Sequence, residues 1–157
     1  MTETLNRVSL IEECYLRFLG RFSDLPRRDY FLASSLDAAA IIGAFSGCDE
    51  CRRLDAVVED VRRQLAPYRD KRKLLLFGAY GNGNLGDRIM PGIIATWIEA
   101  QAEDCVCFAL SCIAETDYPF AAGRKLSSTL ESANARVLAL FDGLIIGGGG
   151  IFAWPHR

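Results

Sequence analysis

Histidine and paired cysteines are scarce in this sequence of 157 residues. Its single histidine, His156, lies at the C-terminal end, and Cys48 with Cys51 forms the one CxxC among six cysteines. A structural zinc site usually needs two such pairs, or one pair with histidines, so we predict no metal site. The cysteines are instead expected to be free thiols. Cys105 and Cys107 fall in a predicted strand, and reduced cysteines suit a cytosolic protein.

An excess of one charge and a long apolar run are absent as well. Residues 1–70 carry ten basic and twelve acidic side chains and residues 71–157 carry eight of each, for a net charge of −2. Neither half has the basic character of a nucleic-acid-binding protein. The longest weakly charged stretch, Ala38–Cys48, is too short for a transmembrane segment, and Glu12 and Glu13 interrupt any signal-peptide core. We therefore expect a cytoplasmic globular protein without nucleic-acid partners.

A loop rich in glycine and asparagine, set between a strand and a helix, is the main feature that is present. Leu74 to Phe77 form an apolar run typical of a buried strand in a parallel sheet. The loop that follows contains Gly81, Asn82, Gly83, Asn84 and Gly86. Asp87 is predicted to cap a helix over 87–102, with Pro91 in its first turn. Because unpaired NH groups and the helix dipole point at the loop, the junction predicts an anion-binding site.

A second glycine loop follows the third predicted strand. Cys105–Leu110 and Leu144–Ile146 are predicted strands, and the stretch 126–140 between them has helical spacing. The loop after the third strand consists of Gly147, Gly148, Gly149 and Gly150. Strands that alternate with helices indicate a parallel α/β sheet whose carboxyl edge binds the ligand. We therefore predict that residues 81–87 and 147–150 line one cleft.

The first seventy residues are predicted to form a helical N-terminal segment that precedes the α/β domain of residues 71–157. Apolar spacing predicts helices over 5–19, ended by Gly20, and over 30–45, where the low charge indicates burial. A third helix is predicted to start at a cap, Asp49, and to end at Pro67. Its arginine pairs at 52–53 and 62–63 are expected to face solvent.

Two motifs of the second half resemble the polysaccharide pyruvyl transferase family over roughly residues 73–152. These are GAYGNGNLGD, in which Asn84, Gly86 and Asp87 match a glycine-rich NxGD loop, and FDGLIIGGGGIF, in which Asp142 precedes the four glycines. The two motifs in this order are fairly specific, whereas either one alone is weak. Arg88 departs from the family pattern, in which an acidic residue often follows the aspartate.

The resemblance implies two Rossmann-like domains facing each other across a cleft, as in glycosyltransferase-B-like enzymes. It implies transfer of pyruvate from phosphoenolpyruvate, the donor substrate, to a sugar of a cell-surface polysaccharide, without a further cofactor. Asp87 is then the candidate catalytic residue, and the two glycine loops together with Arg88 are the candidate substrate-binding residues. The expected partners are the small-molecule donor and a sugar or glycan acceptor.

Two alternatives to an active transferase stay open. Gly81, Gly83 and Gly86 satisfy the GxGxxG pattern of nucleotide-binding oxidoreductases, although Leu110 is followed by Ser111 instead of the acidic residue that binds a ribose. The second alternative is a non-catalytic remnant or interaction module. With three predicted strands, where sheets average about five or six, we expect an incomplete and inactive enzyme that self-associates or needs a second domain.

Overall fold

A computed structural model describes residues 2–81, 84–113, 118–129 and 131–147 as a mixed α/β fold. The helices are α1 (Thr2–Cys14), α2 (Leu25–Ala33), α3 (Ala38–Ser46), α4 (Asp49–Leu65), α5 (Leu85–Gln101) and α6 (Ala135–Leu138). The strands are β1 (Arg72–Gly78), β2 (Cys105–Ser111) and β3 (Gly143–Ile146). A π-helical turn, Tyr15–Leu19, extends α1, and short 3₁₀ helices cover Ala66–Tyr68 and Glu131–Ala133.

The three strands form a parallel sheet in the order β2-β1-β3, which confirms the predicted strands and their parallel arrangement. In the register, Leu75 of β1 lies opposite Phe108 of β2 on one side and Leu144 of β3 on the other. The chain therefore passes from β1 to one neighbour and returns to the opposite side of β1 for its third strand.

One face of the sheet is covered by α4. Its buried residues Leu54, Val58, Val61 and Leu65 share an apolar cluster with residues of β1 and β2 and with Leu126 and Val137. The predicted domain boundary at residue 70 lies between α4 and β1, two elements of this same cluster. Because α4 belongs to the helical N-terminal segment, that segment contributes directly to the core of the sheet.

The other face of the sheet is covered by α5. A second cluster joins Leu76 of β1, Cys107 and Ala109 of β2, Ala95 of α5 and two tyrosines, Tyr80 and Tyr118. Ile94 and Ile98 pack against this cluster from α5. Cys105 and Cys107 are buried in β2, as predicted, and all six cysteines are free thiols.

The remaining N-terminal helices pack around a third cluster. Ile11, Tyr15, Leu19, Ile41 and Phe45 are its main members. The first helix ends at Gly20, as predicted, in a left-handed conformation with φ of 60°.

The single helix predicted over 30–45 is wrong, because α2 and α3 are separate helices. The Ser34 hydroxyl donates to the Phe31 carbonyl at the end of α2, and the Asp37 carboxylate accepts from the Ala40 NH at the start of α3. Serine and aspartate side chains that bond to nearby backbone groups favour helix ends over helix interiors. The prediction of burial is also wrong for α2, which has no buried residue.

The predicted helix over 126–140 is wrong in most of its length. The Leu126 NH donates to the Ala109 carbonyl, so the chain pairs with β2 there, and α6 covers residues 135–138 alone. Leu126 and Val137 are nevertheless buried against the sheet. The apolar residues of this segment are spaced as in a helix, but here the spacing results from packing against α4 and the sheet.

The predicted start of α4 also needs one correction. Asp49 is the first helical residue, and the cap is Cys48, whose sulfur accepts a hydrogen bond from the Cys51 NH. Asp49 and Glu50 then occupy the first turn, and Arg62 and Arg63 occupy the last turn, where each charge opposes the nearby end of the helix dipole. Both predicted arginine pairs face solvent.

Candidate functional site

The carboxyl ends of β1 and β3 meet at one edge of the sheet, and each strand leads into a glycine loop. These two strands are adjacent and parallel, and helices cover both faces of the sheet. In open α/β sheets, ligands bind outside the carboxyl ends of the strands where the strand order reverses. The order reverses here at β1, between the two glycine loops.

Gly78, the last residue of β1, allows the two loops to approach each other. A Cβ atom at this position would lie 2.4 Å from the Gly147 carbonyl oxygen and 2.6 Å from the Tyr80 ring. The Gly147 NH donates to the Phe77 carbonyl at 3.1 Å, which continues the β1–β3 ladder to the start of the second loop. A side chain at position 78 would therefore separate the loops.

Tyr80 connects the ends of all three strands beneath this edge. Its hydroxyl donates to the Gly147 carbonyl at 2.9 Å, and its own carbonyl accepts from the Ser111 hydroxyl at 2.9 Å. The side chain is fully buried, and burial raises the pKa of Tyr80 to about 12. The phenol is therefore protonated at neutral pH and acts as a hydrogen-bond donor, which gives the edge a fixed geometry.

The first loop ends at the N-terminus of α5. Asn84 caps this helix, because its side-chain oxygen accepts from the Gly86 NH at 2.9 Å. The prediction of Asp87 as the cap is therefore wrong: the helix begins at Leu85, and Asp87 lies within its first turn. Pro91 is likewise not in the first turn, since the earlier start moves it into the second. Lacking an NH group, Pro91 cannot donate to the carbonyl of Asp87.

Asp87 is a mostly buried residue at the positive end of α5. It is 8% exposed, and in the described part of the chain no group donates a hydrogen bond to its carboxylate. A carboxylate in the first turn is favoured by the helix dipole. Arg88, the next residue, is exposed.

The remaining predicted site residues are placed as follows. Gly81 lies in the turn after β1 with φ of 82°, a value that favours glycine. Asn84, Gly86, Asp87 and Arg88 are in the cap and first turn of α5, and Gly147 follows β3. Asn82, Gly83, Gly148, Gly149 and Gly150 lie outside the described residues.

Three residues at this edge were missed by sequence reasoning. Tyr80 and Ser111 connect the strands, and Gly78 permits the loops to approach. A tyrosine inside a glycine loop and a serine after an apolar strand were the available signals. Their roles depend on partners 67 and 31 residues away along the chain, so sequence spacing could not assign them.

The described ranges contain neither a candidate metal site nor a membrane-spanning helix. No group of three or more histidine, cysteine, aspartate or glutamate side chains there could hold a metal ion. No described helix is both long and apolar enough to cross a membrane.

Comparisons with known proteins do not extend this description. The chain matches no protein-family model, no curated protein and no solved structure.

Proposed function

We propose that this chain is a polysaccharide pyruvyl transferase-like protein that binds phosphoenolpyruvate at the carboxyl edge of its sheet. The proposal includes a Rossmann-like fold for the parallel sheet, a second domain facing it across a cleft as in glycosyltransferase-B-like enzymes, and a cytoplasmic location. The single observation that carries it is that β1 and β3, which lead into the two glycine loops, end side by side where the strand order reverses, with the first loop running into the N-terminus of α5.

Phosphoenolpyruvate suits the groups at this edge. Its phosphate and carboxylate carry negative charge, and the N-terminus of α5 offers backbone NH groups and the positive end of the helix dipole. Arg88 is an exposed cation in the first turn of α5. These groups would bind the donor and stabilise the phosphate that leaves.

The reaction that we propose requires one proton donor and one base. Protonation of the methylene carbon of phosphoenolpyruvate makes the adjacent carbon electrophilic. A sugar hydroxyl then forms a C–O bond to this carbon and gives its proton to the base. The bond to the phosphate oxygen breaks, and a second hydroxyl of the same sugar forms the second C–O bond of a pyruvyl ketal. The proton of the second hydroxyl leaves with the phosphate, which is released as inorganic phosphate. Asp87 is the candidate base that accepts the hydroxyl proton.

Titration calorimetry with phosphoenolpyruvate tests the proposal. We expect phosphoenolpyruvate to bind and NAD⁺ not to bind, and we expect Arg88→Gln to weaken binding several-fold. Arg63→Gln, which removes an exposed arginine from α4, is the matched control and should bind as the unchanged chain does. Absence of phosphoenolpyruvate binding would contradict the proposal.

The role of Asp87 needs a separate measurement. Phosphate release from phosphoenolpyruvate should be followed in the presence of sugar acceptors, together with the melting temperature of Asp87→Asn. If the unchanged chain releases phosphate, a folded Asp87→Asn variant should not. Full retention of phosphate release in that variant would exclude Asp87 as the base.

The nucleotide-binding oxidoreductase is the second candidate, and one observation disfavours it. Ser111 stands at the end of β2, and its hydroxyl is already bonded to the Tyr80 carbonyl. A dinucleotide-binding domain typically has an acidic residue there for the ribose hydroxyls. Binding of NAD⁺ without binding of phosphoenolpyruvate would favour this candidate.

A further inference from the structure

An uncovered row of large apolar side chains runs along the outer side of α5. It consists of Leu85, Ile89, Ile93 and Trp97, which we call the α5 ridge. Their exposed fractions are 70, 41, 60 and 67%. Residues four apart on a helix lie one above the other, so these side chains form one continuous strip about 18 Å long.

A row of small residues lies beside the ridge. Gly92, Thr96 and Ala100 are also spaced by four, and each follows a ridge residue by three positions. They form the floor of a surface groove of about 590 Å³, which the ridge residues Ile89, Ile93 and Trp97 and Pro119 also line. The Thr96 hydroxyl donates to the Gly92 carbonyl at 2.8 Å, so it needs no bond from a partner. We call this row the α5 groove.

We propose that the α5 ridge and groove form the interface of a symmetric homodimer. In helix packing, ridges of residues spaced by four fit into grooves between rows of the same spacing on the facing helix. One helix that carries both features is complementary to a second copy of itself. A two-fold axis would place the ridge of each copy in the groove of the other.

The charges of α5 favour a second copy over a membrane surface. In this helix, described in full, Asp87 is buried and Glu99 bonds to the Cys107 NH and to Arg124, which leaves Arg88 as the exposed charge. Helices that lie on membranes usually carry several lysines or arginines on their polar face. An outer face with one cation lacks that attraction but can pack against an identical apolar face.

Sedimentation velocity of the full chain over a range of concentrations tests the dimer. We expect a reversible monomer–dimer equilibrium that Ile93→Glu, at the centre of the ridge, weakens by at least about tenfold. Ile42→Glu is the matched control, because Ile42 is a 41% exposed isoleucine on α3, and it should leave the equilibrium unchanged. Trp97 fluorescence should shift to shorter wavelength on dimerisation.

A second variant covers the case in which Ile93→Glu disturbs folding. A Cβ atom at Gly92 would lie 3.8 Å from the Pro119 carbonyl oxygen, which is ordinary contact, so Gly92→Ala fits the monomer. Alanine favours a helix over glycine. We expect this variant to melt at a higher temperature than the unchanged monomer and yet to dimerise more weakly, because it fills the groove.

Three outcomes would overturn the proposal. They are a chain that stays monomeric at the highest concentration, a dimer that neither Ile93→Glu nor Gly92→Ala weakens, and a monomer that binds phospholipid vesicles through Trp97. The proposal does not depend on the proposed function, since phosphoenolpyruvate binding is measured separately.

Discussion

The two long helices of this protein, α4 and α5, have the same length and cover opposite faces of one sheet, yet their outer sides differ. Each has 17 residues. Nine residues of α4 are charged, against three in α5. The large apolar residues of α4 lie on its buried side. Those of α5 lie on its buried side and also on its exposed side, where they form the α5 ridge.

The difference shows that burial of one face does not require the opposite face to be apolar. Three ion pairs of α4 join residues three apart, Asp49 with Arg52, Glu59 with Arg62 and Asp60 with Arg63. Such exposed pairs contribute little stability but keep the helix soluble. Since α5 could fold with a similar outer side, its ridge is better explained by a partner, as monomers rarely expose large apolar patches.

The largest expected effect is the difference in stability loss between a truncation on the buried side of α4 and one on the exposed side of α5. Leu54→Ala should lower the free energy of unfolding by about 3 kcal/mol, because Leu54 is buried in the core and its truncation leaves a cavity. Ile93→Ala should change it by less than about 0.5 kcal/mol when measured by urea unfolding at a concentration where the chain is monomeric. Equal losses for the two variants would contradict the difference between the helices.

A smaller effect is expected at Tyr80, in the cluster beneath α5. Tyr80→Phe should cost about 1 kcal/mol, because it removes the hydrogen bond to the Gly147 carbonyl and keeps the ring. Tyr68→Phe, in the cluster on the α4 side, is the control.

The pH dependence of Tyr80 gives an independent check. Its folded pKa is raised to about 12 from an ordinary value of 10.0, so folding favours the protonated phenol. Its contribution to stability is present below pH 10 and is lost as the pH rises toward 12. Urea unfolding of the unchanged chain and of Tyr80→Phe over this range should show the loss in the first and a weaker dependence in the second.

The smallest effect concerns Glu50 at the start of α4. The hydrogen bonds from Arg21 hold the pKa of this carboxyl below its ordinary value of 4.5, so ionisation favours the folded state. The contribution is present above pH 4.5 and is lost as the pH falls through the lower folded pKa. Glu50→Gln should therefore cost less than about 1 kcal/mol at pH 7.

The same variant should equal the unchanged chain in strong acid, where the carboxyl of Glu50 is protonated. Thermal unfolding at a series of pH values measures this difference. Glu59→Gln, which removes a more exposed carboxylate of α4, is the control and should have little effect at any pH. A loss for Glu50→Gln that persists unchanged in acid would contradict the role of the ion pair.

Sequence reasoning predicted the strands and α4 because their patterns are local. Short apolar runs mark β1, β2 and β3, and a stripe of period 3.6 marks α4. It also identified the two glycine loops and the parallel sheet. It misplaced the start of α5 because Asp87 and Asn84 are both good caps, and the bond from the Gly86 NH goes to Asn84.

Other features could not be predicted because sequence-distant contacts decide them. The conformation of the chain at Leu126 depends on the hydrogen bond from its NH to the Ala109 carbonyl. The close approach of Gly78 and Gly147 joins positions 69 residues apart. Nothing in the sequence distinguishes Tyr80 from the other loop residues, because its hydroxyl meets the Gly147 carbonyl only in the folded chain. Apolar periodicity likewise could not tell which side of α5 is covered, since Ile93 and Ile94 look alike in sequence.

The amino-acid sequence by itself determined the strand segments, the amphipathic α4 and the position of the glycine loops after β1 and β3. These follow from hydrophobic period and backbone freedom, which neighbouring residues fix. The alternation of strands and helices also placed both loops at one edge of the sheet. The tertiary structure alone decided the strand order, the hydrogen bond by which Tyr80 connects the edge to Gly147, and the exposure of the α5 ridge. Strand order and burial are set by contacts between residues far apart in the chain, and no local pattern contains them.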